Sequence, residues 1–102
     1  IYEDKAPNSI DLANSYHNIG YAYYNLEEYK QAINYHEKAI KIYEDKAPNS
    51  LALAHSYNNI GYAYYDLKEY KQAINYYEKA IKIVEIMTNH FKVLGEYKNG
   101  KQ

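Results

Sequence analysis

The sequence predicts an all-α fold made of antiparallel helical hairpins, and three observations indicate it. Residues 1–41 align with residues 42–82 without a gap, and 34 of the 41 aligned pairs are identical. Apolar residues recur at steps of three and four, the spacing of one helix face. A Pro-Asn-Ser triplet occurs once in each repeat, where a connection between helices is expected. Tandem repetition with this period is typical of stacked helical units.

The composition restricts the function before any motif is considered. The net charge is −1, so there is no bulk attraction toward nucleic acid or anionic lipid. The chain has no cysteine, which excludes disulfides, cysteine-ligated zinc and thiol catalysis and favours a reducing, cytoplasmic location. The mean hydropathy is −0.77, and no apolar run approaches the roughly 20 residues of a membrane span. We therefore expect neither a nucleic-acid partner nor a membrane partner.

The repetition divides a single domain, residues 1–102, into four parts. Residues 1–6 reproduce the end of a repeat and are interpreted as the end of a preceding second helix. Repeat 1 comprises residues 7–46, and repeat 2 comprises residues 47–86. Residues 87–102 are interpreted as a capping extension. The sequence is thus interpreted as beginning within a repeat, as is expected of an excised or deliberately built array.

The first helix of each repeat follows an Ala-Pro-Asn-Ser turn. Proline disfavours helix at the residue before it, and asparagine and serine are both good N-caps, so each triplet is expected to mark a connection between helices. The apolar positions after Ser50 lie on one helix face. They are Leu53, Tyr57, Ile60, Tyr64 and Leu67.

The second helix is expected to start directly after Asn25 and Asp66, because each is followed three residues later by glutamate, the spacing of a capping box. So short a turn forces the two helices of a repeat to run antiparallel. Gly20 and Gly61 indicate close helix packing, since a glycine within a helix costs roughly 1 kcal/mol relative to alanine. The apolar stripe of the second helix in repeat 2 comprises Tyr70, Ile74, Tyr77, Ile81 and Val84.

The repetition stops at Met87. Residues 87–102 contain no Pro-Asn-Ser triplet but keep apolar side chains at Phe91, Val93 and Leu94. Two interpretations are open: the segment continues the second helix of repeat 2, or it forms a short last helix that covers the exposed apolar edge.

The large and small residues of both repeats fall in the order of a known pattern, W-x₂-L-G-x₂-Y…A-x₃-F…P, and the chain resembles the tetratricopeptide repeat family. The matching positions in repeat 1 are Tyr16, Ile19, Gly20, Tyr23, Ala32, His36 and Ala39, and those in repeat 2 are Tyr57, Ile60, Gly61, Tyr64, Ala73, Tyr77 and Ala80. The period of 41 residues exceeds the usual 34 and is similar to that of the kinesin light chain branch. Glu27 and Lys68 replace the glycine that the family commonly keeps between its two helices.

The resemblance implies a right-handed superhelix, a solenoid whose first helices line a concave groove that binds an extended peptide of a protein partner. The peptide-binding positions that it implies are Asn14, His17, Asn18, Tyr21, Tyr24, Asn25, His55, Asn58, Asn59, Tyr62, Tyr65 and Asp66. Asn18 and Asn59 are the leading candidates, because an amide side chain offers both a donor and an acceptor to a peptide backbone. No lysine or arginine stands at these positions, which argues against a clamp for a C-terminal carboxylate.

These residues also have other interpretations. The asparagines could tether their own helices, and the tyrosines could be core filler, as is expected for Tyr16, Tyr23, Tyr57, Tyr64 and Tyr77. His17 and His55 could approach each other, but too few further ligands are present for a metal site. His36 replaces an aromatic ring and is expected to be a packed core histidine. No nucleophile with a matching base, no phosphate loop and no cofactor motif is found, so the sequence predicts no enzyme and no cofactor.

A second function remains open from the sequence. Two hairpins are fewer than the three or more repeats that usually make a stable stack, and the end surfaces of the two units are nearly identical. The alternative is therefore a structural module that assembles into a homo-oligomer through its exposed repeat ends, by stacking or by helix exchange.

Overall fold

In the computed structural model, residues 9–100 have a described backbone and residues 9–98 have described side chains. Over this range the chain forms four α-helices and no strand, so the all-α prediction is confirmed. The helices are α1 (Ile10–Asn25), α2 (Tyr29–Lys46), α3 (Leu51–Asp66) and α4 (Tyr70–Gly100). The helix end predicted at residues 1–6 lies outside the described residues.

Of the two capping residues predicted in each triplet, the serine is the one that caps the first helix of the repeat. The Ser9 hydroxyl accepts a hydrogen bond from the Leu12 N–H at 3.1 Å, and the Ser50 hydroxyl accepts one from the Leu53 N–H at 3.2 Å. Each bond satisfies one of the N–H groups that a helix start leaves without an intrahelical partner. Asn49 adopts a positive φ of 62°, a conformation that asparagine tolerates better than most residues. The second Pro-Asn-Ser triplet, residues 48–50, thus connects α2 to α3 as predicted.

The turn between the two helices of a repeat differs from the prediction. Asn25 and Asp66 are the last residues of α1 and α3 and do not cap the next helix; the N-cap of α2 is Glu28, whose side chain makes no capping hydrogen bond. The reason is that Glu27 and Lys68 both take φ 64°, the left-handed conformation of a helix C-terminus. In repeat 1 the Glu28 N–H then bonds the Tyr23 carbonyl at 2.9 Å and closes α1 before α2 begins.

The two hairpins pack side by side. Helix α1 pairs with α2, α3 pairs with α4, and α2 also packs on α3, which joins the repeats; α1 and α3 meet along a narrower strip. The glycines allow the close approach that was expected of them. A Cβ on Gly20 would lie 2.9 Å from the His36 ring, and a Cβ on Gly61 would lie 2.7 Å from the Tyr77 ring.

The stripe predicted for the second helix is mostly buried in repeat 1, whereas in repeat 2 all of it but the half-buried Tyr77 is exposed. Ile33 and Ile40 on α2 are 9% and 7% exposed, because α3 covers them. Their equivalents on α4, Ile74 and Ile81, are both 55% exposed. A second helix therefore buries this face only where another repeat follows it.

Residues 87–100 continue α4 as one helix and do not form a separate one. Phe91, Val93 and Leu94 are exposed, so this segment does not cover the apolar edge of α4 in the manner of the second interpretation. Within the described residues, no helix is both long enough and apolar enough to cross a membrane.

Candidate functional site

The twelve peptide-binding positions expected from the sequence all lie on α1 and α3. His17, Tyr24, Asn58 and Asn59 are half-buried. The other eight are exposed: Asn14, Asn18, Tyr21, Asn25, His55, Tyr62, Tyr65 and Asp66. The set therefore presents a polar and aromatic surface with a partly buried centre.

Five of the twelve line one cleft of about 360 Å³ between the two repeats. Because it is formed by both α1 and α3, the cleft exists only when the hairpins are packed together. The predicted residues that line it are Tyr21, Tyr24, Asn25, Asn59 and Tyr62. His36 of α2 lines it as well and was not among the predicted site residues.

His17 joins the two repeats at the centre of this surface. Its Nδ1 lies 2.9 Å from the Ser56 hydroxyl, and its Nε2 lies 3.3 Å from Nδ2 of Asn59. An amide nitrogen only donates, so Nε2 accepts and Nδ1 carries the proton that is donated to Ser56. Burial, and then the charge of His55, lower the pKa of His17, which favours this neutral form. His17 is therefore engaged within the protein, and Ser56 is a partner that sequence reasoning missed.

A second link between the repeats connects Tyr24 with Asp66. The Tyr24 hydroxyl donates to Oδ2 of Asp66 at 2.5 Å. This hydrogen bond, more than burial, raises the pKa of Tyr24 and keeps the phenol protonated. The bond holds together the C-terminal ends of α1 and α3, where the groove tyrosines stand.

Asn14 is engaged in a different way. Its carbonyl oxygen accepts a hydrogen bond from the hydroxyl of Tyr43, which is 2% exposed on α2. Asn14 therefore ties α1 to α2 of the same hairpin. This is a tethering role of the kind that was open for the asparagines.

Asn18, in contrast to Asn14, is exposed, and its side chain makes no hydrogen bond to the described residues. Asn59 stands at the equivalent position of repeat 2 and uses Nδ2 toward His17, while its Oδ1 has no partner in the described part of the chain. The two amides thus retain donor and acceptor groups that a ligand could use.

Of the four groove tyrosines, Tyr21, Tyr24, Tyr62 and Tyr65, the last three pack on tyrosine rings of the second helices. The ring centroids of Tyr62 and Tyr77 are 5.7 Å apart, and those of Tyr65 and Tyr70 are 5.2 Å apart. These are the separations of favourable aromatic pairs. Tyr62 and Tyr65 nevertheless remain 46% and 55% exposed, so fixed rings offer their free faces to solvent.

His36 forms the floor of the cleft and is fully buried. Neither ring nitrogen has a hydrogen-bond partner among the described residues, and the ring centroid lies 5.2 Å from that of His17. Burial, and secondarily His17, lower the pKa of His36 to about 4. The prediction of a packed core histidine is confirmed. The sequence shows that His36 differs from Tyr77 at the equivalent position, but it does not indicate that His36 lies beneath the groove.

Charge and metal-binding groups are sparse at this surface. The groove positions include Asp66 and no lysine or arginine. Within the part of the chain that the structure describes, no group of three or more His, Cys, Asp or Glu residues is arranged to hold a metal ion. The available chemistry is therefore hydrogen bonding by amides and contact with aromatic rings.

Comparison with known proteins gives one family. The sequence profile of the tetratricopeptide repeat matches residues 11–86, which is 76 of the 102 residues and includes both hairpins. The match ends just before Met87, where the internal repetition also stops. A comparison with curated protein sequences gives no match.

Proposed function

Because the chain belongs to the tetratricopeptide repeat family, we propose that it is a scaffold that binds an extended segment of a protein partner in the groove lined by α1 and α3. Members of this family generally act as protein–protein interaction modules. The proposal includes no catalytic activity, and a net charge of −1 supports neither a nucleic-acid nor a membrane partner. The absence of cysteine supports a reducing, cytoplasmic setting.

The observation that carries the proposal is the pair of amides at Asn18 and Asn59. They stand 41 residues apart at equivalent positions of adjacent first helices, and both keep unused hydrogen-bonding groups. An extended peptide presents its N–H and C=O groups at regular intervals and loses their bonds to water when it is bound. Amides repeated along the groove replace those bonds without requiring a particular peptide sequence.

The tyrosines supply contact area for the peptide side chains. Tyr21 on α1 and Tyr62 on α3 both line the cleft of about 360 Å³ and are 54% and 46% exposed. Tyrosine has few rotatable bonds, so contact with a partner orders it at small entropic cost. Rings that already pack on second-helix tyrosines lose still less freedom on binding.

The charge of the groove limits the peptides that fit. Burial favours the neutral form of His17, and Asp66, which accepts a hydrogen bond from Tyr24 in the lining of the cleft, is the acidic residue among the twelve positions. A peptide with neutral or basic side chains complements this surface, whereas an acidic segment is repelled. A free C-terminal carboxylate finds no cation at the groove positions.

The experiment begins with a displayed library of random linear peptides selected on the whole chain. The selected peptide is synthesised, and its Kd is measured by fluorescence polarisation for the wild type and for the double variant Asn18→Ala, Asn59→Ala. Loss of two hydrogen bonds worth about 0.5–1.5 kcal/mol each weakens binding by roughly 5- to 150-fold.

The matched control is Asn34→Ala with Asn75→Ala. These two asparagines also stand at equivalent positions of the repeats, but they are exposed on the second helices α2 and α4. The control should retain wild-type affinity. An unchanged Kd in the groove variant, or an equal loss in both double variants, would rule out the groove assignment.

A further inference from the structure

The outer face of α4, formed by Ile74, Ile81 and Val84, is a copy of a face that the protein covers elsewhere. These residues are 55%, 55% and 45% exposed. Their equivalents on α2 are Ile33, Ile40 and Tyr43, which are 9%, 7% and 2% exposed because α3 packs there. The contact of α3 with α2 is the internal junction between the repeats, and it shows what kind of helix surface covers such a face.

The outer face of α1 is the complementary surface. It is formed by the exposed residues Ser15, Ile19, Ala22 and Leu26. The equivalents of the first three on α3 are Ser56, Ile60 and Ala63, and each is 0% exposed where α2 packs against α3. The side chains that close the internal junction are thus present, unchanged in type, on the opposite end of the molecule.

We propose that copies of this chain associate head to tail, with α1 of one copy docked on the outer face of α4 of another in the arrangement that α3 adopts on α2. The occupant is a second copy, because the chain itself supplies both halves of a contact that it already makes internally. The proposal is independent of peptide binding in the groove.

The apolar part of the contact is retained almost completely. Ile74 and Ile81 stand where Ile33 and Ile40 meet α3. The identity of Ile19 with Ile60, of Ala22 with Ala63 and of Leu26 with Leu67 preserves the opposing surface. The one change of size is Val84 in place of Tyr43, and it remains apolar.

The polar part is retained as well. Four side-chain hydrogen bonds between described residues cross the internal junction, and in the stacked pair each keeps a donor and an acceptor. The bond from Tyr57 to Glu44 has its counterpart in Tyr16 and Glu85, and the bond from Tyr24 to Asp66 has its counterpart in Asn25 and Tyr65. The bonds of His17 to Ser56 and Asn59 have their counterparts in Asn58 of one copy with Ser15 and Asn18 of the other.

The path of α4 leaves this face open. The helix continues without interruption from Tyr70 to Gly100, and Phe91, Val93 and Leu94 in the segment after Met87 are exposed. A contact between unlike faces leaves one face free at each end, and assembly continues by addition of further copies. Each added copy would also lengthen the groove by two first helices.

The experiment is sedimentation velocity of the whole chain over a wide range of concentrations. We expect the average mass to rise with concentration from the monomer of 12.0 kDa past that of a dimer. Ile81→Lys blocks the α4 face, and Ile19→Lys blocks the α1 face. Since these residues are 55% and 40% exposed, both variants keep their internal core.

Each blocked variant should stay monomeric on its own. An equimolar mixture of the two has one compatible pair of faces and should stop at a dimer. The matched control is Gln72→Lys, because Gln72 and its equivalent Gln31 are both exposed, and this variant should still assemble. Ile74→Lys serves as a second block of the α4 face should circular dichroism show that Ile81→Lys has lost helix.

A wild-type chain that remains monomeric at every concentration overturns the proposal. Dimerisation of Ile19→Lys alone also overturns it, since that result means that two α4 faces meet each other. A mixture of blocked variants that stays monomeric has the same consequence.

Discussion

Gly20 and His36 occupy the closest approach between the two helices of repeat 1. A Cβ on Gly20 would lie 2.9 Å from ring atoms of His36, which is fully buried, so the ring or the helices would have to shift. The glycine is retained within a helix, where it costs about 1 kcal/mol relative to alanine, because the ring fills the space of a side chain.

We predict that Gly20→Ala destabilises the protein relative to Gly95→Ala. Gly95 lies in α4, and a Cβ there would meet nothing within 4 Å, so both variants gain the same helix propensity and only Gly20→Ala is overpacked. Overpacking costs about 1–3 kcal/mol, which is the expected difference between their free energies of unfolding in urea. Equal free energies would show that the ring of His36 moves without cost.

We predict that His36 makes the stability depend on pH. Burial, followed by His17, lowers its pKa from 6.5 to about 4 in the folded protein. Between these values the unfolded chain binds more protons than the native one, so the free energy of unfolding is fully present above about pH 6.5 and falls as the pH drops toward 4. At about 1.4 kcal/mol per pKa unit, the loss is on the order of 3 kcal/mol.

The control for this prediction is His36→Tyr, since Tyr77 stands at the equivalent position of repeat 2 and packs there against Gly61. Urea unfolding at pH 7.5 and at pH 4.5 should show a smaller difference for the variant than for the wild type. Other groups titrate in both proteins, so the comparison isolates His36. The same difference in both would refute its role.

We predict that Lys68→Gly stabilises the protein. Lys68 has φ 64° at the end of α3, where a side chain costs about 1–2 kcal/mol, whereas glycine adopts the conformation freely. Because glycine also stabilises the unfolded state by about 0.4–1 kcal/mol through its greater backbone freedom, we expect a net gain of up to about 1.5 kcal/mol. Lys68→Ala keeps the Cβ and should give no gain. Thermal unfolding followed by circular dichroism compares the three proteins.

Much of the fold follows from the sequence because its signals are local. Serine after Pro-Asn places the N-caps of α1 and α3, and spacings of three and four residues place the helix faces. Gly20 and Gly61 mark the two close packing points, as the structure confirms. The prediction that Asn25 and Asp66 cap the next helix was wrong. Glu27 and Lys68 adopt the left-handed conformation of a helix end, so Asn25 and Asp66 are the last residues of the preceding helices.

The candidate site could be predicted only as a surface. Its twelve positions lie on the first helices as expected, but the sequence does not separate Asn14, which is engaged by Tyr43, from Asn18, which is open. The contact of His17 with Ser56 joins side chains 39 residues apart, and nothing in the neighbouring sequence indicates it.

The sequence by itself determined the helices, their hairpin pairing and the family, because periodicity, capping and the 41-residue repetition are written in neighbouring residues. Only the tertiary structure decided which helix face is covered, which amides keep free hydrogen-bonding groups, and that burial lowers the pKa values of His17 and His36. Burial and hydrogen bonding depend on whatever packs alongside a helix. Ile40 and Ile81 show this, since one residue type at one repeat position is 7% exposed beside α3 and 55% exposed without such a neighbour.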